Sequence, residues 1–174
     1  RGRRALGSEA PCLVANHVSA LDMFALTSIG ASFVGKAAAE HMPCIGPITR
    51  SMGCIFVARD SPESRALARK TISERLSLQW NEKSSSQLVI FPEGTTTNGR
   101  GLLQFRRGAF DAQVPIQPVR IEYSNLECSM ALLDIVQLIC YLSTWMPWEM
   151  TIHYLPVVPG GKDTTEICRD AIAS

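Results

Sequence analysis

This sequence predicts an α/β domain, a mostly parallel central sheet with helices on both faces, and three observations carry that expectation. Short apolar runs such as Cys12 to Ala15 and Gln87 to Phe91 are bounded by turn residues and have the length of buried strands rather than helices. The segments between them repeat apolar residues at helical spacing, so strand and helix alternate along the chain, the order that builds parallel pairs. The chain has 174 residues, 46% of them hydrophobic, and a mean hydropathy of +0.08. That suits one domain, residues 1–174, with a sizeable core.

Taken in order, residues 1–8 set Arg1, Arg3 and Arg4 beside Gly2 and Gly7 and read as a mobile or interface-seeking entry segment outside the core. Cys12 to Ala15 is the first strand, and Leu21, Phe24, Ala25, Ser28 and Ile29 mark the first helix. Ser32 to Gly35 is a second strand, followed by an alanine-rich turn or short helix over Lys36 to Glu40. Pro43, Gly46 and Pro47 break the chain before a short helix through Ile48, Thr49 and Met52, and Cys54 to Val57 is the next strand. Ser61-Pro62-Glu63 is a strong helix start: a capping hydroxyl, a proline whose fixed φ suits the first turn, and an acid at the positive end of the dipole. Ala68, Ile72, Leu76 and Trp80 form its buried stripe, with Arg65, Arg69, Lys70, Glu74 and Arg75 as a solvated face.

Polar Asn81 to Ser86 links to the strand Gln87 to Phe91. The run Pro92 to Gly101 is too long for a hairpin turn and too rich in glycine and hydroxyls for core, and such loops at strand ends are where sites are placed. Gly108 to Gln113 starts a short helix, Pro115 to Ile121 is a strand, Cys128 to Tyr141 a helix, Glu149 to Leu155 a strand and Asp163 to Ile172 a terminal helix.

Lys plus Arg (17) nearly balance Asp plus Glu (16), so a formal charge of +1 gives no reason to expect a nucleic-acid partner. The six cysteines are scattered, mostly in apolar runs, with no zinc-ligand spacing, which predicts free thiols in a reducing compartment and no metal site. The chain begins at Arg1, shows no signal-peptide pattern and has no uninterrupted apolar run of the ~18 residues needed to span a bilayer. It reads as a domain from a longer protein whose anchor, if any, lies elsewhere.

Chemistry concentrates first at Asn16-His17-Val18-Ser19-Ala20-Leu21-Asp22, where a strand gives way to a helix. One helical turn brings Asp22 back beneath the loop that carries His17, so the carboxylate can orient the imidazole and stabilise its charged form, the arrangement of a general base. Ser19 and Asp22 also have capping-box spacing, a purely structural role compatible with the first. The second concentration is Phe91 to Arg107. There Gly94, Gly99 and Gly101 stand among Arg100, Arg106 and Arg107, an anion cradle without the Gly-Lys-[Ser/Thr] of a nucleotide triphosphatase loop.

Four blocks in order, Asn-His-x-x-x-x-Asp over 16–22, Gly53 to Arg59, Phe91-Pro-Glu-Gly-Thr95 and Val114 to Val119, resemble those of the glycerolipid acyltransferase superfamily. The stretch FPEGTTTNGRGLLQFRRGAF is most similar to the branch acting on lysophosphatidylcholine and lysophosphatidylethanolamine, and the resemblance covers roughly residues 11–160. It implies transfer of a fatty acyl group from acyl-CoA, a co-substrate rather than a bound cofactor, to the hydroxyl of a lysophospholipid. His17 would be the base and Asp22 its partner, with Gly53, Arg59, Glu93, Gly94, Thr95, Thr96, Arg106 and Arg107 at the substrates. One departure stands out: Thr96 follows Gly-Thr where many members carry arginine.

The resemblance also implies contact with a membrane surface, such as the endoplasmic reticulum. Residues 128–148, with Trp145 and Trp148, read as a core helix or as one lying on the bilayer. Two rival activities share the pattern: a non-catalytic scaffold at a membrane or lipid droplet that retains the fold, and an acyl-CoA hydrolase that uses water as acceptor.

Overall fold

The computed structural model describes residues 1–19, 21–41, 45–58, 60–124 and 149–174. The helix expected over Cys128 to Tyr141, the tryptophans 145 and 148, and Arg59 lie outside the described residues.

A six-stranded sheet runs β3-β2-β4-β1-β5-β6, with β1 (Cys12–Ala15), β2 (Ser32–Lys36), β3 (Ile55–Val57), β4 (Leu88–Ile90), β5 (Ile116–Tyr123) and β6 (Met150–Tyr154). All neighbours pair in parallel except β6, which runs antiparallel to β5 along the edge. From β1 the chain first moves toward β3 through α1 (Leu21–Thr27), then returns from β3 to β4 through α3 (Pro62–Asn81). Crossovers of one hand running in opposite directions deposit their helices on opposite faces of a sheet.

The core is split accordingly. Cys12, Val14, Leu88 and Ile90 face Ile72 and Leu76 of α3 and Cys168 and Ile172 of α4 (Thr164–Ala173). The alternate residues Leu13, Ala15, Val89 and Val119 face Leu26 of α1. Central strands buried on both faces must be apolar at every position, which is why β1 and β4 read as unbroken apolar runs.

The N-cap of α3 is the expected one, Ser61, with a reciprocal capping box to Ser64. Ile72 and Leu76 are buried and Ala68 and Trp80 pack half-buried against them. The leading segment departs from expectation, because residues 1–8 belong to the fold. Gln117 on β5 accepts the Ala5 N–H at 2.8 Å and donates to the Arg3 and Leu155 carbonyls at 2.9 and 3.0 Å. Gln87 accepts Arg4 Nε at 2.7 Å and donates to the Ala10 carbonyl at 2.8 Å. Two buried amides thus supply the partners that an aperiodic segment needs before it can be held against the sheet.

Between β2 and β3 come a 3-10 turn (Ala37–His41) and α2 (Ile45–Ser51). Gly53 has φ +68. Its N–H donates to the Arg50 carbonyl at 3.0 Å and that of Cys54 to Thr49 at 3.1 Å, the paired bonds of a Schellman stop. The short helix expected from Gly108 is a 3-10 turn, Arg107–Ala109, beside α3.

Candidate active site

The carboxyl ends of β1 and β4 lie side by side, since Val14 pairs with Ile90. The segments that leave them therefore face each other across the edge where doubly wound sheets place their ligands. From β1 the chain enters the turn carrying His17, and from β4 it enters Phe91-Pro92-Glu93-Gly94.

His17 Nδ1 lies 2.9 Å from Asp22 Oδ2. The same oxygen accepts the N–H groups of Val18 and Ser19 at 2.8 and 2.9 Å, and Oδ1 accepts the Tyr123 hydroxyl at 2.5 Å. Asp22 therefore caps the turn and orients the imidazole at once. A carboxylate accepts and does not donate, so the proton between the two side chains sits on Nδ1, leaving Nε2 as the basic nitrogen. Asp22 is fully buried while 14% of the His17 side chain is exposed. The ring also stacks on Phe91, centroids 4.1 Å apart and planes 20° from parallel.

The main chain of His17 is held as firmly as its ring. Its N–H donates to Glu93 Oε1 at 3.0 Å, and its carbonyl accepts the Thr97 N–H at 2.8 Å. Glu93 Oε2 accepts the Leu103 N–H at 2.9 Å. Glu93 is 3% exposed, so its carboxylate spans the His17 turn and the start of the arginine-bearing segment.

A cavity of about 220 Å3 opens beside the ring, lined by His17, Phe33, Gly35, Phe91, Gly94, Thr95 and Thr96 among others. Gly94 has φ +74, and a Cβ there would stand 2.8 Å from Arg106 Nε. The missing side chain is what lets the guanidinium lie against the backbone of the turn. Arg106 and Arg107 line an adjoining cleft and not this cavity. Of the residues expected at the substrates, Gly94, Thr95 and Thr96 join His17 in the cavity, and Glu93 sits behind it as a brace. Gly53 ends α2 and lines neither space.

Tyr123 and Phe91 as a ring platform escape a reading of the sequence. The strand expected to stop at Ile121 continues to Tyr123, keeping the alternation of Val119 and Ile121 on the α1 face. That period-two pattern was the available signal.

The family model described as Acyltransferase matches residues 2–122. The chain belongs to the acyltransferase family. This acyltransferase domain is 38% identical over 122 residues to "Lysophospholipid acyltransferase LPEAT1" of Arabidopsis thaliana, covering 68% of the chain and 30% of that protein. It is 34% identical over 161 residues to "Lysophospholipid acyltransferase LPEAT2" of the same plant, covering 91% of the chain and 29% of the relative. With "Lysophosphatidylcholine acyltransferase 1" of Danio rerio it shares 40% identity over 126 residues, 72% of the chain and 24% of the relative. The domain thus groups with the lysophospholipid branch of the glycerolipid acyltransferases, and it spans about a quarter to a third of the length of these relatives. A crystal structure of the 1-acyl-sn-glycerophosphate acyltransferase PlsC from Thermotoga maritima aligns with a TM-score of 0.47 at 22% identity, over 65% of this chain and 44% of that one.

Proposed function

We propose that this domain is the catalytic part of a lysophospholipid O-acyltransferase that moves a fatty acyl group from acyl-CoA to a free lysophospholipid hydroxyl at a membrane surface. The observation that carries the reading is the His17–Asp22 contact at 2.9 Å beside a cavity that His17 lines. Nε2 takes the proton of the acceptor hydroxyl as its oxygen attacks the thioester carbonyl. A C–O bond forms, and the tetrahedral intermediate collapses with cleavage of C–S. The leaving thiolate then recovers the proton from the imidazolium that Asp22 has stabilised. No acyl-enzyme is required. The Thr95 and Thr96 N–H groups, free of protein acceptors among the described residues, are candidates to receive the developing oxyanion.

The 1-acylglycerophospholipids fit the named substrates of the matched relatives. A membrane location, with the endoplasmic reticulum as the expected compartment, follows from so apolar an acceptor. No described helix is long and apolar enough to cross a membrane.

The test is to incubate the intact protein with labelled acyl-CoA and a panel of lysophospholipids, beside His17→Ala. We expect acceptor-dependent transfer, lost by about 10² to 10⁴ fold in the variant, the usual worth of a positioned base. Release of free fatty acid without transfer would point to the hydrolase. A folded parent protein inert toward every acceptor would point to the scaffold.

A further inference from the structure

Asp22 shares its acceptors unevenly. Oδ2 takes three donors, the His17 ring and the Val18 and Ser19 N–H groups, whereas Oδ1 has the Tyr123 hydroxyl alone among the described residues. The Asp22 side chain has no exposed surface, so Oδ1 has no bulk water to draw on. A carboxylate oxygen in the interior needs a donor, because an unmatched charge there is costly to keep.

Tyr123 reaches that oxygen because the His17 turn and β5 are locked in register. β1 ends at Ala15, opposite Val119. The main chain then leaves the sheet, and the Asn16 side chain continues the ladder in its place. Its Oδ1 accepts the Ile121 N–H at 2.7 Å and its Nδ2 donates to the Ile121 carbonyl at 2.9 Å. The amide copies the donor and acceptor of a strand residue, so His17 can turn its own N–H to Glu93 while β5 stays satisfied. Two residues past Ile121, Tyr123 shares its face of the strand and stands 2.5 Å from Asp22 Oδ1. It borders a separate hollow with Asn16 and Val18, and lines neither the cavity at His17 nor the adjoining cleft. Its route to the reaction therefore runs through Asp22.

We infer that Tyr123 is a positioning residue for His17, an inference that rests on the transferase reading above. The hydroxyl fixes Oδ1, which leaves Oδ2 facing His17 Nδ1 as an anion. Without it the stranded oxygen has two ways out. The carboxylate can turn toward donors already in use, which pulls Oδ2 off the ring, or it can take up a proton, which removes the charge that stabilises the imidazolium. Both weaken the base, and neither touches a substrate.

The experiment is a double-mutant cycle on the intact protein: parent, Tyr123→Phe, Asp22→Asn and the two combined, with Tyr154→Phe on β6 as a control for loss of a tyrosine hydroxyl. kcat and both KM values are measured. Alongside them runs the rate at which diethyl pyrocarbonate carbethoxylates His17, read by peptide mass spectrometry against His41 and His153. That labelling needs a free imidazole nitrogen and no turnover. We expect Tyr123→Phe to lower kcat about 5- to 30-fold, part of the worth of a hydrogen bond to a charged group. Both KM values should hold, labelling should slow at His17 alone, and Tyr154→Phe should match the parent. In Asp22→Asn there is no charged oxygen to hold, so adding Tyr123→Phe should change kcat and labelling by less than about twofold. This background decides the matter even where Tyr123→Phe alone is too unstable to assay, since asparagine strands no charge. An equal loss in both backgrounds overturns the inference, because a purely structural effect does not depend on the charge of residue 22. A rise confined to the lysophospholipid KM also overturns it and would set the hydroxyl against the acceptor. A parent that transfers nothing, yet labels at His17 faster than Tyr123→Phe does, keeps the positioning role and removes the transferase reading. Transfer with kcat and labelling untouched by Tyr123→Phe does the reverse.

Discussion

Replacing Asp22 by asparagine separates the two tasks of that carboxylate. In the native site Oδ2 accepts three donors, from His17, Val18 and Ser19, and Oδ1 accepts one, from Tyr123. An asparagine keeps all four contacts in a single orientation: its oxygen at the Oδ2 position, its NH2 donating to a Tyr123 hydroxyl that has rotated to accept. The opposite orientation sets an NH2 against three donors, so the first is strongly preferred. The turn, the imidazole tautomer and the fold should survive, and only the charge is lost. Two unit charges about 4 Å apart attract by ~4 kcal/mol at an effective dielectric near 20. With 14% of the His17 side chain exposed, solvent screening brings this to about 2–4 kcal/mol, felt only when the ring is protonated in the transition state. Asp22→Asn should therefore lower kcat by ~30- to 10³-fold with little change in either KM. Asp22→Ala should behave differently. It strands the Val18 and Ser19 N–H groups in the interior at about 1–3 kcal/mol each and should fail first as a folded protein. The assay is initial-rate transfer from labelled acyl-CoA, with urea unfolding of both variants alongside. If folded Asp22→Asn kept more than about a third of the parent kcat, charge stabilisation of His17 would not be part of the mechanism.

Further expectations concern the brace, the acceptor and the buried thiols. Glu93→Gln presents an NH2 to one of the two N–H groups the carboxylate now serves, so it should cost about 1–3 kcal/mol in unfolding free energy and lower kcat; unchanged denaturation would show that the brace is dispensable. Thr96 lines the His17 cavity without a charge, which favours a lysophospholipid with a headgroup over lysophosphatidic acid. Thr96→Arg should swing the kcat/KM ratio toward the phosphomonoester by ~5- to 150-fold, and equal use of both acceptors by the parent would remove Thr96 as the determinant. Burial raises the Cys12 thiol and pushes that of Cys168 up to about 12. The folded protein thus keeps protons that the unfolded chain releases from pH ~8.5 upward. The stability they contribute is complete below that value and lost as pH climbs toward about 12, by up to ~1.4 kcal/mol per pH unit for each thiol. Cys168→Ser, whose hydroxyl does not ionise there, should flatten urea stability between about pH 9 and 11 by the share of one proton; identical slopes would refute the assignment.

How much of this was legible in the chain depends on whether a feature is local. The start of α3 at Ser61-Pro62, the buried strands β1 and β4 and the His17–Asp22 pair are set by residues within one helical turn or one strand of each other. Chemistry and spacing reveal them directly. Tyr123 reaches Asp22 only because β1 and β5 align Ala15 with Val119, and Phe91 meets His17 only through the β1–β4 pairing. Register is a property of the assembled sheet, so no local pattern announces it. The leading segment was misjudged for a similar reason. Its order comes from Gln87 and Gln117, polar residues on strands whose partners lie about 80 and 110 positions away. Arg65, Arg69, Lys70 and Glu74 are exposed, as the amphipathic spacing of α3 leads one to expect.

Glu93 touches its two clients through main-chain N–H groups, not side chains. Alignment of His17 with the arginine-bearing arm is thereby made indifferent to what residue 103 is, since every amino acid but one brings the same N–H to that position. Leu103, 47% exposed, is open to replacement by other residues while His17 stays where it is. Proline alone is barred. The position of His17 is in this sense written into the backbone, and the side chain at 103 is left free to vary.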